Sequence, residues 1–136
     1  MRCMFDTNTL SALVHQRTGF ERVAARIDRL SLSDRLISTV TLSELQTMIA
    51  KARDQQTKAA KVWIVLTRFR IVDFDERAAR HAGEIRASLE TRGMQIGPLD
   101  TLMAAHARSV GATAITGNMR EFKRVPLLTV ENWLLA

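Results

Sequence analysis

The segment LDTLMAAHARSVG, Leu99 to Gly111, constrains the fold more than any other part of the chain. It has helical periodicity yet is apolar on nearly every side, and a helix of that kind is stable in water only at the centre of a fold, covered by other elements. Around it runs a regular alternation. RCMF reads as a short buried strand and TNTLSALVHQ as a helix with Leu10, Leu13 and Val14 on one face. FERVAARIDRL continues in helical spacing through Phe20, Val23, Ile27 and Leu30. RLISTV is a second strand, and TLSELQTMIAKA returns to helical spacing through Leu42, Leu45, Met48 and Ile49.

TKAAKVWIVLTRF is ambiguous. Its run from Val62 to Leu66 suits a strand, but the alanine-rich lead-in favours a buried helix. RIVDF is a third strand candidate. DERAARHAGEIRASLETRG is an amphipathic helix with Ala78, Ala82, Ile85 and Leu89 inward and Gly93 as its stop. Gly111 closes the buried helix, and ATAIT and LLTV complete the strands. Strands alternating with helices predict an α/β sandwich, a mostly parallel sheet of about five short strands covered on both faces. Gly and Pro fall at element ends rather than in a linker, and a chain of 136 residues fits one domain spanning positions 1–136.

Composition narrows the function classes. The apolar fraction is 46% and the charged fraction 25%, and no run approaches the ~18 apolar residues that span a bilayer. MRCMFD reaches an acid too early for a secretory leader, so a cytoplasmic location is expected. The single cysteine, Cys3, forbids an internal disulfide and reads as a small buried apolar residue. A formal charge of +6 favours polyanionic partners. There is no GxSxG, Walker or GxGxxG motif, which argues against a serine hydrolase, a P-loop NTPase and a dinucleotide enzyme. His15, His81 and His106 are isolated, and His106 on so apolar a helix reads as structural.

The acids are more informative. In parallel sheets ligands bind where strand-to-helix turns converge. Asp6, Glu44 and Asn118 follow predicted strands and Asp100 opens the buried helix, so the four positions can face one cleft. Taken singly, each has a simpler explanation. Asp6 suits an N-cap. Glu44 closes a capping box, Thr41-Leu42-Ser43-Glu44. Asp100 lies in a first turn after Pro98, where negative charge is favoured. The apolar surroundings of Asp100 weaken that last account, because a buried carboxylate needs a partner or a metal. Taken together, dispersed carboxylates are what Mg²⁺ or Mn²⁺ takes as hard oxygen ligands, alongside water and substrate phosphate.

MFDTN at the start, STVTLSEL in the first third and IGPLDTLMAAHARSVGATAITGNMREFKRVPLLTVENW at the end resemble, in order and spacing, the PIN-domain ribonucleases, specifically the VapC toxins of bacterial type II toxin–antitoxin modules. The resemblance implies a PIN-like three-layer sandwich and a Mg²⁺-dependent endoribonuclease, Mn²⁺ being a substitute. It further implies that this enzyme cuts a structured RNA such as a tRNA, forms a homodimer and is neutralised by a VapB-like antitoxin. By position, the metal-binding acids fall on Asp6, Glu44 and Asp100. The fourth place, often Asp in that family, holds Asn118, with Glu121 three residues on to supply the missing carboxylate. Thr7 and Asn8 match groups that steady Asp6 or a water, and Thr116 matches a hydroxyl position of the same motif. Arg120, Lys123 and Arg124 stand beside the site as candidate phosphate contacts, though such a run also suits a solvated surface.

Two rival readings remain. An aspartyl-phosphate site with Asp6 as nucleophile wants a second acid two residues on, where Asn8 stands. A non-catalytic RNA- or DNA-binding module, or a decayed toxin that only assembles with its antitoxin, is a reading that Asn118 leaves open.

Overall fold

A strand buried on both faces of a sheet needs only a few apolar residues, and the five strands of this protein are short. They are β1 (Cys3–Phe5), β2 (Arg35–Ser38), β3 (Arg70–Val72), β4 (Thr113–Ile115) and β5 (Val130–Glu131), all parallel, in the order β3-β2-β1-β4-β5. The helices are α1 (Thr7–His15), α2 (Phe20–Asp28), α3 (Thr39–Ala50), α4 (Gln55–Leu66), α5 (Glu76–Thr91), α6 (Pro98–Ser109) and α7 (Met119–Phe122). This computed structural model describes residues 1–135.

Alternation along the strands separates two cores. Cys3, Phe5, Ile37 and Ile115 point to one face, where they meet Leu10, Leu13, Val23, Ile27, Leu45 and Leu66 of the first four helices. Met4, Leu36 and Ala114 point to the other, against Ile85 and Leu89 of α5 and Met103, Ala104 and Ala107 of α6. A period of two in the strands thus sorts the helices into two outer layers. The expected three-layer α/β sandwich is what forms. Helix α6 is buried from Met103 through Ala107, as its sequence requires, while Leu99 at its start stays exposed.

Two expectations need correction. Helix α4 forms, but it is not a buried helix: Val62 and Leu66 are buried in the core and Ala59 and Val65 pack against its edge, while Trp63 and Ile64 are 47% and 70% exposed. It packs on α1 and α3, so one face at i, i+3 and i+4 spacing is covered and the opposite face is not. The last strand starts later than LLTV suggests, at Val130, because Leu127 takes a left-handed backbone (φ 61°) and Leu128 packs on the second core.

The end of the chain folds back onto the first core. Trp133 is buried edge-on to Phe5 (centroids 5.3 Å apart) and lies under the guanidinium of Arg26. Gly19 makes this possible: its φ is +93°, and a Cβ there would meet the Leu134 carbonyl oxygen at 2.5 Å. No helix among the described residues is long and apolar enough to cross a membrane.

Candidate active site

The strand order reverses direction between β1 and β4, and side chains at the carboxyl ends of these two strands share one crevice. Asp6 directly follows β1 and Thr116 directly follows β4. Asp6 is 6% exposed and uses both oxygens: Oδ1 accepts from the Thr9 N–H at 2.8 Å, and Oδ2 accepts from the Thr116 hydroxyl. It is therefore both the N-cap of α1 and a member of the crevice, so the capping role does not take it out of the candidate site. Burial pushes its carboxyl above the ordinary range, and the bonds from Thr116 and Thr9 oppose the rise.

Asp100 enters the same crevice from the first turn of α6, half-buried, after Gly97 and Pro98. Its carboxyl is also raised, first by burial and next by the charge of Asp6, with smaller contributions from Glu44 and Glu121 and a lowering hydrogen bond from Asn118. Carboxylates from three other elements, Asp6, Glu44 and Glu121, therefore lie close enough to act on Asp100.

Glu44 does not close a capping box. The N-cap of α3 is Ser38, whose hydroxyl accepts from the Val40 N–H, so Glu44 falls in the helix's second turn and is free to point elsewhere. Its Oε1 accepts from the Thr7 hydroxyl at 2.7 Å. Glu121 accepts at 2.7 Å from the Asn118 amide, which also donates to Asp100 at 3.2 Å. Among the described residues no three His, Cys, Asp or Glu side chains converge on a single point; Asp6 is held by Thr116, Glu44 by Thr7, and Asp100 and Glu121 share Asn118. The donor set is nonetheless oxygen only, carboxylates without thiolate or imidazole, and that chemistry fits Mg²⁺ or Mn²⁺.

The other expected residues divide. Thr7 and Thr116 join the network. Asn8 is exposed and lies outside it. Arg120 and Lys123 are exposed, whereas Arg124 is half-buried and donates to the Gln95 carbonyl at 3.0 Å, which makes it a brace between loops. Asn118 presents its amide N–H to the acids rather than a carbonyl oxygen. The histidines stay apart: His15 contacts Ser11 and Lys58, His81 accepts from Arg108, and His106 is buried against Phe74 with Nδ1 2.7 Å from the Ser38 hydroxyl. Sequence reasoning missed the Thr7 to Glu44 link and the reach of the Asn118 amide to Asp100, because both join residues remote in the chain; the bond from Asn118 to Glu121 is a local i, i+3 contact. A cavity of about 510 Å³ between α5 and α6, lined by Ala82, Arg86, Leu89, Ile96 and Leu102, contains none of the four acids.

A parallel sandwich with acids gathered at its switch point is the architecture of PIN domains. The PIN domain pattern matches residues 3–128, and the chain belongs to this family. Within it the kinship is with VapC proteins. The tRNA(fMet)-specific endonuclease VapC of Salmonella typhimurium (strain LT2) is 35% identical over 133 residues, 98% of each chain. Ribonuclease VapC2 of Rickettsia felis is 41% identical over 97 residues, 71% of this chain and 72% of that one. The solved structure of DNA-bound VapBC from Salmonella typhimurium superposes with a TM-score of 0.90 at 35% identity, covering 98% of both chains.

Proposed function

We propose that the chain, acting as one nuclease domain over residues 1–136, is a divalent-cation-dependent endoribonuclease of the cytoplasm and the toxin of a toxin–antitoxin pair. The observation that carries this reading is the meeting of Asp6 and Asp100 at the β1/β4 switch point, where the charge of one raises the carboxyl of the other. Kinship supports the substrate, since the relatives are named ribonucleases and one of them a tRNA(fMet)-specific endonuclease.

In this reading Asp6, Asp100 and Glu44 offer the carboxylate oxygens, and Glu121 supplies the fourth acid that Asn118 does not. When held there, Mg²⁺ or Mn²⁺ supplies Lewis-acid charge at the scissile phosphate and a more acidic water. The chain's own residues supply the positioning: Thr116 aims Asp6, Thr7 aims Glu44, and the exposed cations of Arg120 and Lys123 draw the phosphate backbone toward the crevice. The partner is a VapB-like antitoxin, supported by the solved relative being a VapBC complex. The chain pairs with a second copy as a homodimer, to be checked by light scattering.

The deciding experiment incubates antitoxin-free protein with total tRNA in Mg²⁺ or Mn²⁺, beside EDTA and Asp100→Asn controls. Discrete fragments that both controls abolish are expected. Intact tRNA from folded protein in either metal overturns the enzyme reading in favour of a binding-only or decayed module.

A further inference from the structure

The side chain of Asn118 makes two hydrogen bonds from one nitrogen, to Asp100 Oδ2 at 3.2 Å and to Glu121 Oε2 at 2.7 Å. An asparagine amide carries two N–H donors at one end and only an acceptor at the other, so a group flanked by two carboxylates has one favourable orientation. Both donors are used. The backbone of the same residue is equally committed: its N–H donates to the Thr116 hydroxyl at 2.9 Å, and that hydroxyl donates to Asp6. Its carbonyl accepts from Phe122 at 3.1 Å and opens α7, the helix that carries Glu121. One residue is thus linked to three of the four acids, each of which comes from a different part of the chain.

We propose that Asn118 is a positioning residue that braces the acidic crevice, its amide holding Asp100 and Glu121 side by side as a neutral substitute for positive charge. The proposal rests on the metal-dependent reading above but concerns the geometry of the crevice and its demand for a cation. A carboxylate at position 118 would turn oxygen lone pairs toward two other carboxylates, and like charges at such distances repel unless a cation lies between them. An asparagine there has two effects. The crevice keeps its shape without a cation, and cation binding has to compete with two hydrogen bonds to ligand oxygens. Ligand charge sets cation affinity, so this chain should hold Mn²⁺ or Mg²⁺ less tightly than an Asn118→Asp variant does.

The test is thermal unfolding of wild type, Asn118→Asp, Glu121→Gln and the double variant, each without metal and across a Mn²⁺ titration, with calorimetric Mn²⁺ binding alongside. Without metal, Asn118→Asp should unfold at lower temperature than wild type. Glu121→Gln alone should change little, because its amide oxygen still accepts from Asn118, and added to Asn118→Asp it should restore part of the lost stability, since one of the two facing charges is removed and that of Asp100 remains. With Mn²⁺, Asn118→Asp should recover its stability and bind the ion about tenfold more tightly than wild type. Should Asn118→Asp fail to fold without metal, a double variant that folds supports the brace and one that stays unfolded overturns it. An equal loss of stability with and without Mn²⁺, or an Asn118→Asp variant that matches wild type in both measurements, also overturns the brace. A wild type that gives neither a Tm shift nor heat with Mn²⁺ overturns the metal reading itself, which separates the two failures.

Discussion

Asp100 shows how much one side chain's surroundings decide. Its carboxyl is raised by burial and then by Asp6, so the folded protein binds a proton there more tightly than the unfolded chain does. The stability this contributes is present at acid pH, below the ordinary carboxylate value, and is lost as pH rises through the raised folded value. At neutral pH the charged form is a liability. Asp100→Asn removes that liability and keeps an oxygen to accept from Asn118. The metal-free variant should therefore melt above wild type by about 4 °C per kcal/mol gained, and lose all RNA cleavage, as scanning calorimetry and a gel assay at pH 7 would show. A variant that melts below wild type would mean that the acids do not repel one another. Thr116 is the counterpart: Thr116→Val strips the donor from buried Asp6 and should cost about 1–3 kcal/mol in urea unfolding, with a fall in kcat larger than any change in KM.

At the scale of elements, two junctions hold the crevice in shape. His106 on α6 meets Ser38, the cap of α3, so one buried contact ties the helix carrying Asp100 to the helix carrying Glu44. Burial lowers the imidazole below its usual 6.5, with Asp75 and Asp73 opposing, so it is neutral in the fold. The unfolded chain then takes up the proton first as pH falls through that value, and stability declines on acidification. His106→Asn keeps a small polar group near Ser38 and does not titrate, so its stability should fall less steeply than wild type between about pH 6.5 and 5. Parallel slopes in urea titrations would remove His106 from this role. The second junction is Gly19 against the C-terminal turn. Gly19→Ala meets both a left-handed backbone and the Leu134 oxygen, and should cost about 2 kcal/mol or more by loosening Trp133 from Phe5, read as a lower urea midpoint and a change in tryptophan fluorescence.

For the whole molecule, a net charge of +6 coexists with an acidic crevice, so the proposed function requires that cations drawing a polyanion stand outside the acids. Arg120 and Lys123 are exposed beside Glu121, while Arg124 is tied to Gln95. In a salt titration of tRNA binding by Asp100→Asn protein, Arg120→Ala and Lys123→Ala should each reduce the slope of log K against log salt by about 0.8, and Arg124→Ala should change stability more than slope. Equal slopes in all three variants would place the RNA elsewhere on the surface.

Local physics made most of the architecture readable. The helical stripe of Ala78 to Leu89 reports its burial through periodicity, because one residue's environment repeats at a fixed spacing, while the short apolar strands and the all-round apolar run in α6 report burial on every side by being unbroken. The candidate acids were legible for a related reason: Asp6 and Asp100 sit where an element starts, and Asp100 is charged in an apolar setting. Periodicity says little about how far a helix lies from the sheet, so α4 emerged half-exposed, and it says nothing about which side chains meet across elements. That Thr7 aims Glu44, that Asn8 stays outside, that Arg124 braces a loop and that the Asn118 amide spans two acids were decided by tertiary packing alone, since each depends on a contact between residues remote in the chain or on a side-chain orientation that only its neighbours settle.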